Sequence, residues 1–145
     1  MADTTQFTIK IQQGIDQCPD ARRVRKAVFV KELNQKDEFD DIDLAAFHIV
    51  IYEKNQPVAA GRTYQDDDQR FVLSRVCVMK PERKRTIGAL AVRELESFIK
   101  TLYTGEVKLY SSKDAVEFFG KQGYHPSLDA PRRYGEDCVL LVKEL

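Results

Sequence analysis

The sequence predicts an α/β fold in which a mixed, mostly antiparallel sheet carries helices on its faces. Three strand-like segments follow one another between residues 47 and 79, which favours an antiparallel meander. A long amphipathic helix then leads to a further strand, and a strand–helix–strand unit is typical of a parallel crossover. With 145 residues, of which 43% are hydrophobic and 32% charged, we expect one domain over residues 1–145.

The first half of the chain begins with a strand and a helix. Residues 7–11 alternate apolar and polar side chains, which is the period of a half-buried strand. Pro19 opens a helix that runs to about residue 31, because apolar side chains recur there at helical spacing. The polar and acidic residues 34–43 form a loop or a short helix. Strands are expected at residues 47–53, 58–64 and 71–79, with turns at residues 55–57 and 66–68.

The second half contains the most regular helix of the chain. Its apolar stripe consists of Ile87, Leu90, Ala91, Leu95, Phe98, Ile99 and Leu102. Gly105 ends this segment, and a strand follows at residues 107–110. Ser112 is placed to cap a brief helix that ends before Gly123, with Ala115, Phe118 and Phe119 buried. A last strand at residues 139–142 completes the order β-α-β-β-β-α-β-α-β.

Charge and composition exclude several classes of protein. The 23 basic and 23 acidic residues cancel, which argues against a dedicated nucleic-acid binder. Apolar runs are far shorter than the ~20 residues of a membrane helix, and the start of the chain does not resemble a signal peptide. The separated Cys18, Cys77 and Cys138 and only two histidines indicate reduced thiols and no metal site. We therefore expect a cytoplasmic protein that contacts neither nucleic acid nor membrane.

The turn before the long helix is the most informative segment. Arg83, Lys84 and Arg85 lie beside the helix N-terminus, whose partial positive charge normally attracts acidic residues instead. Gly88, in the first helical turn, lets a ligand approach the backbone. Cations, free N–H groups and a missing side chain together favour a phosphate or pyrophosphate over a merely solvated basic turn. The phosphate-loop pattern GxxxxGK[ST] and the dinucleotide pattern GxGxxG are both absent.

This segment resembles the acyl-CoA-binding signature Q/R-x-x-G-x-G/A of the GNAT superfamily of N-acetyltransferases. It reads Arg83-x-x-Thr86-x-Gly88, so threonine replaces the first glycine and is placed to cap the helix. Further matches to a bacterial GNAT subgroup with VFVxEQ and ExDxxD motifs extend over residues 22–142. They are Arg25-x-x-Val28-Phe29-Val30-x-Glu32, Glu38-x-Asp40-x-x-Asp43 with His48, Arg75-Val76-Cys77-Val78, and Ala115-x-x-Phe118-Phe119-x-Lys121-x-Gly123-Tyr124.

The resemblance implies the GNAT fold, acetyl-CoA as acyl donor and no metal. By position, the backbone of Val76, Cys77 and Val78 would hold the pantetheine arm. The residues implied around the pyrophosphate are Arg83, Lys84, Arg85, Thr86, Gly88 and Ala89. Ser112 stands where relatives often have a polar amide that contacts the cofactor.

The implied reaction is direct transfer of the acetyl group to a bound amine, which must lose a proton before it attacks. The resemblance points to Glu38, Asp40 and Asp43 as the acids that accept this proton, with Glu32 behind them. An acidic, solvated loop explains the same residues equally well. His48 is expected to have a structural role.

One departure concerns the leaving group. Many relatives place a tyrosine at the position of Phe119, where it protonates the departing thiolate. Tyr110, Tyr124 and Tyr134 are possible substitutes, and Tyr110 is taken as the candidate.

Three functions therefore compete. The first is an N-acetyltransferase acting on a small molecule, a peptide or a protein. The second is an acyl-CoA-binding module with weak or lost catalysis, suggested by Thr86 and Phe119. The third, a nucleic-acid protein using residues 80–85, is disfavoured by the zero net charge. The sequence is compatible with a monomer or a homodimer and does not identify the acceptor.

Overall fold

The computed structural model describes residues 6–36, 38–83, 86–127 and 138–145. The strands are β1 (Phe7–Gln13), β2 (Phe47–Glu53), β3 (Gln56–Gln65), β4 (Phe71–Val78), β5 (Glu106–Ser112), β6 (His125–Pro126) and β7 (Cys138–Glu144). The α-helices are α1 (Pro19–Arg25), α2 (Ile87–Lys100) and α3 (Val116–Lys121). A π-helical segment, Lys26–Glu32, continues α1, and short 3-10 helices lie at Ile15–Gln17, Asp41–Leu44, Lys80–Glu82 and Lys113–Ala115.

The seven strands form one sheet in the order β1-β2-β3-β4-β5-β7-β6. Neighbouring strands are antiparallel, except for β4 and β5, which run parallel on either side of the α2 crossover. The mixed, mostly antiparallel sheet predicted from the sequence is thus confirmed. None of the helices in the described part of the chain is long and apolar enough to cross a membrane.

The helices pack on both faces of the sheet. Leu95 and Ile99 of α2 are fully buried in a cluster with Leu73 and Leu109. A Cβ on Gly61 would lie 3.0 Å from Leu95 Cδ1, so the absence of a side chain there allows α2 to approach β3 closely.

The opposite face of the sheet is covered by α1 and the π-helical segment. Val24 and Val28 pack there against Ala60 and Cys77. Ala59, the neighbour of Ala60 in β3, belongs to a cluster with α2 residues, as strand alternation requires.

Several local predictions were wrong. The predicted helix over residues 19–31 is an α-helix only as far as Arg25 and continues with π geometry from Lys26 to Glu32. The two-residue strand β6 was not predicted, because it is too short to show a pattern in the sequence. The first hairpin turns at Lys54 and Asn55, which both have positive φ. Thr86 and Ser112 occupy N-cap positions, but neither side chain makes a capping hydrogen bond.

A bulge in β4 opens the sheet. Ala60 pairs with Cys77 and Arg62 with Ser74, so two residues of β4 oppose Gly61 alone. Arg75, in this bulge, has φ 56°, which belongs to the left-handed region. In the described chain, β4 and β5 pair only through Val72↔Lys108 and Leu73↔Leu109. The strands therefore separate immediately after Leu73.

Candidate functional site

Two cavities meet where β4 and β5 separate. The larger cavity, of about 750 Å³, lies beside β3, β4, β5 and the segment 38–42, which contributes Glu38 and Asp40 to its lining. The smaller cavity, of about 610 Å³, lies between the π-helical segment, the end of β4 and α3. Both are lined by Phe29, Val76, Ala115 and Phe119. Ala115 and Phe118, which the sequence predicted to be buried, are half-buried because they line these cavities.

The smaller cavity is mainly apolar and contains most of the described residues predicted to bind a cofactor. Its lining includes Val76, Cys77, Val78, Arg83 and Gly88. A Cβ on Gly88 would lie 3.2 Å from Phe118 Cζ, so a side chain there would press on the cavity wall. This glycine therefore keeps the start of α2 open beside the cavity.

The remaining predicted cofactor residues have different positions. Thr86 is exposed at the N-cap of α2, and Ala89 is half-buried in its first turn. Ser112 lines the larger cavity and not the smaller one. Lys84 and Arg85 lie outside the described residues.

Arg83 binds a carboxylate of its own chain. Its Nη1 and Nη2 atoms each donate to a carboxylate oxygen of Glu32 at 2.6 Å, and its Nε donates to the carbonyl of Val78 at 2.9 Å. The hydrogen bond between the two side chains lowers the pKa of Glu32 and raises the pKa of Arg83. Glu32, the acid named after Glu38, Asp40 and Asp43, is thus held at the turn by Arg83.

A cluster of six charged side chains lies beside the larger cavity, and four of them, Glu38, Asp40, Arg62 and Arg75, line it. We call it the arginine–acid cluster; its members are Arg25, Arg62, Arg75, Glu38, Asp40 and Asp43. Arg25 donates to Glu38 at 2.9 Å and to Asp43 at 2.8 Å. Arg62 donates to Asp40 and Asp43, both at 2.8 Å. Three positive and three negative charges therefore balance within the fold.

Within this cluster, the Asp43 carboxylate receives hydrogen bonds from two arginines and from a backbone N–H. Burial alone would raise its pKa, but hydrogen bonds from Arg25, the Asp40 backbone and Arg62 hold that pKa well below its usual range. Asp43 also forms a reciprocal capping box with Asp40 at the start of the 3-10 helix Asp41–Leu44. These contacts favour a structural role for Asp43.

Asp40 is the most accessible of the three predicted acids. Its side chain is 35% exposed, against 2% for Glu38 and 1% for Asp43. Glu38 and Asp40 line the larger cavity. Burial raises the pKa of Glu38, although Arg25 and Arg75 bind its two oxygens. Of these three acids, Asp40 is therefore the one most accessible from the larger cavity.

The tyrosines and the histidine also differ in access. Tyr110 lines the larger cavity from β5. Tyr124 is buried, donates to Glu96 at 2.8 Å and has a raised pKa because of burial and that carboxylate. Tyr134 lies outside the described residues. Buried His48 hydrogen-bonds through Nε2 to the Asp43 carbonyl at 3.0 Å, as a structural histidine would.

Sequence comparison identifies the family to which this arrangement belongs. A family model described as an acetyltransferase (GNAT) domain matches residues 12–141. The chain belongs to the GNAT acetyltransferase family. The uncharacterized N-acetyltransferase YjcF of Bacillus subtilis (strain 168) is 34% identical over 116 residues, which cover 79% of this chain and 82% of YjcF.

Solved structures show the same GNAT fold at low sequence identity. Escherichia coli ElaA has a TM-score of 0.82 and 20% identity, covering 95% of this chain and 99% of its own. The PaiA N-acetyltransferase from Thermoplasma acidophilum, solved in complex with coenzyme A, has a TM-score of 0.70 and 13% identity. The alignment with PaiA covers 95% of this chain and 99% of that one.

Sequence reasoning missed the roles of two arginines in the arginine–acid cluster. Arg62 is the one charged residue of the predicted strand 58–64 and is 2% exposed. A lone charge within a mostly apolar strand indicates a partner for that charge, and this signal was present in the sequence. Arg75 was quoted only as part of a strand motif, because its contacts with Glu38 and Asp40 span more than 30 residues.

The low pKa of Asp43 predicts a specific loss of stability in acid. Because this pKa is lower in the folded than in the unfolded chain, the carboxylate stabilises the fold above its unfolded pKa of about 3.9, and this stabilisation is lost as the pH falls towards the folded pKa. We expect the difference in free energy of unfolding between the wild type and Asp43→Asn to shrink below that pH. Urea denaturation of both proteins as a function of pH measures it, and a pH-independent difference would contradict the prediction.

Proposed function

We propose that this GNAT protein is an N-acetyltransferase whose single domain transfers an acetyl group from acetyl-CoA directly to an amine. The observation that carries the proposal is the meeting of the two cavities where β4 and β5 separate. One cavity is mainly apolar and adjoins the start of α2, whereas the other has a mixed polar and apolar lining and contains an accessible carboxylate. Two reactants held on either side of one opening need no further encounter before they react.

The smaller cavity suits the acyl donor. The pantetheine arm would lie along Val76, Cys77 and Val78, where β4 has separated from β5. The first N–H groups of a helix lack intrahelical partners, so the start of α2 can receive the diphosphate. The residues proposed there are Lys84, Arg85, Thr86, Gly88 and Ala89. The coenzyme A bound to PaiA, which has the same fold, supports this assignment.

The larger cavity suits the amine. We assign Asp40 as the group that orients the amine and accepts its proton, directly or through water. The amine nitrogen then attacks the thioester carbonyl carbon, and a strand N–H polarises that carbonyl. The C–S bond breaks, and Tyr110 or water gives a proton to the thiolate, which is a tolerable leaving group because thiols have a pKa of about 8.5.

Thermal denaturation with acetyl-CoA tests the donor assignment. A ligand present at a hundred times its dissociation constant adds about 2.7 kcal/mol of stability, so we expect a clear rise in melting temperature. Release of the coenzyme A thiol in the presence of polyamines, aminoglycosides, amino acids and peptides would then identify the acceptor. A melting temperature that ignores coenzyme A and acetyl-CoA at millimolar concentration would contradict the proposal.

The alternative is an acyl-CoA-binding module. It is favoured by Thr86, which makes no capping bond, and by Phe119, which lines both cavities without a hydroxyl. Single-turnover reactions distinguish the two functions. Acetyl-CoA binding with no transfer to any amine of the panel would favour the module.

A further inference from the structure

The contact between Glu32 and Arg83 joins two parts of the chain 51 residues apart. Glu32 is the last residue of the π-helical segment, and Arg83 follows the 3-10 helix Lys80–Glu82 after β4. Both oxygens of the carboxylate and both terminal nitrogens of the guanidinium take part, and Arg83 Nε is bound to the Val78 carbonyl. Such a two-point contact fixes the mutual orientation of the groups as well as their distance.

These two parts of the chain form opposite walls of the smaller cavity. Val28, Phe29 and Leu33 line it from the π-helical side, and Val76 and Val78 from β4. Deeper in the cavity, Val28 already packs against Cys77 of β4, whereas at the rim Leu33, next to Glu32, is 52% exposed. The ion pair is therefore placed to set the distance between the walls.

We propose that Glu32 and Arg83 are positioning residues for the acyl donor. Their pair holds the π-helical wall against the end of β4 and keeps the cavity at the width of a pantetheine arm. Arg83 acts through Glu32 and Val78 and not by contact with the diphosphate, in contrast to the role that the sequence motif implied for it. The inference rests on the proposed function, because it assigns the smaller cavity to the acyl donor.

Charge gives the pair a second consequence for the same ligand. An isolated Glu32 carboxylate beside the phosphate turn would repel a diphosphate, whereas the bidentate contact neutralises it. By the sequence motif, Lys84 and Arg85, which follow Arg83, are the cations that we propose for the diphosphate. Loss of Arg83 should therefore weaken donor binding through charge as well as through geometry, whereas loss of Glu32 should weaken it through the geometry of the cavity walls alone.

Charge exchange tests the proposal. We would measure the dissociation constant of coenzyme A by calorimetry for the wild type, Glu32→Arg, Arg83→Glu and the double variant. Each single variant is expected to bind about 3- to 10-fold more weakly, and the double variant within about 2-fold of the wild type, because directly coupled residues have non-additive effects.

In transfer assays, KM for acetyl-CoA should rise in the single variants while KM for the amine stays unchanged. Arg23→Glu, an exposed charge reversal on α1, is the matched control and should bind normally.

The outcomes are distinct. If Arg83→Glu weakens binding, Glu32→Arg does not, and the double variant stays weak, then Arg83 contacts the diphosphate and the proposal is wrong. Single variants that bind like the wild type would overturn it as well, as would tighter binding by Glu32→Arg. If the wild type itself does not bind coenzyme A, the proposed function fails first and this inference fails with it. Binding by the wild type without rescue in the double variant rejects the inference alone.

Discussion

Replacement of Arg25 by methionine is expected to lower the free energy of unfolding by about 3–5 kcal/mol, the usual cost of removing one partner from a buried ion pair. The Arg25 side chain is fully buried and lies between the carboxylates of Glu38 and Asp43. Methionine fills much of the same volume but leaves both carboxylates with one guanidinium fewer. The buried negative charge then exceeds the positive charge, and the folded state is penalised.

Urea denaturation of the wild type and of Arg25→Met measures this cost. Arg23→Met is the matched control, because Arg23 lies on the same helix and its side chain is 67% exposed in a contact with Asp20. An exposed pair of this kind contributes about 0–1 kcal/mol, so the control should remain close to the wild type. A variant at Arg25 that fails to fold agrees with the expectation, whereas a loss as small as that of the control would contradict it.

The same cluster explains why part of the site could not be predicted from the sequence. The motif residues Glu38, Asp40 and Asp43 were identified, but a sequence does not show which arginines reach them. Their partners Arg62 and Arg75 lie on β3 and β4, which are distant from the acids in the sequence. Arg75 contacts the acids from a bulge in β4 that depends on the pairing of β3 with β4. Without knowledge of these partners, the sequence does not distinguish a buried, arginine-bound carboxylate such as Asp43 from an accessible one such as Asp40.

The fold was more predictable because its signals are local. The apolar stripe of α2 and the strand alternation of β1 each follow from one short segment, and both elements appear close to their expected bounds. The π-helical segment Lys26–Glu32 continues α1 for only seven residues, which is too short for an apolar pattern in the sequence to distinguish it from an α-helix. The strand β6 is defined by its pairing with β7, so its two residues show no alternation of apolar and polar side chains from which a strand could be predicted.

Replacement of Asp40 by asparagine is expected to have the largest effect on catalysis. Loss of a proton acceptor typically lowers kcat by about 10²- to 10⁴-fold, and we expect this range if Asp40 receives the proton of the amine. Asparagine keeps an oxygen that can accept the Asp43 N–H and Arg62 hydrogen bonds. The dissociation constant of acetyl-CoA should not change, because Asp40 lines the larger cavity and not the smaller one.

Steady-state and single-turnover kinetics with the identified amine would measure this loss. Asp16→Asn is the matched control, since Asp16 is an exposed acid outside both cavities and this variant should keep its activity. The activity of Asp40→Asn should recover partly at higher pH, where more of the amine is already neutral and needs no base. A kcat within about 2-fold of the wild type would exclude Asp40 as the base. Glu38, whose pKa is raised by burial and whose side chain lines the same cavity, would then be the acid to test by substitution with glutamine.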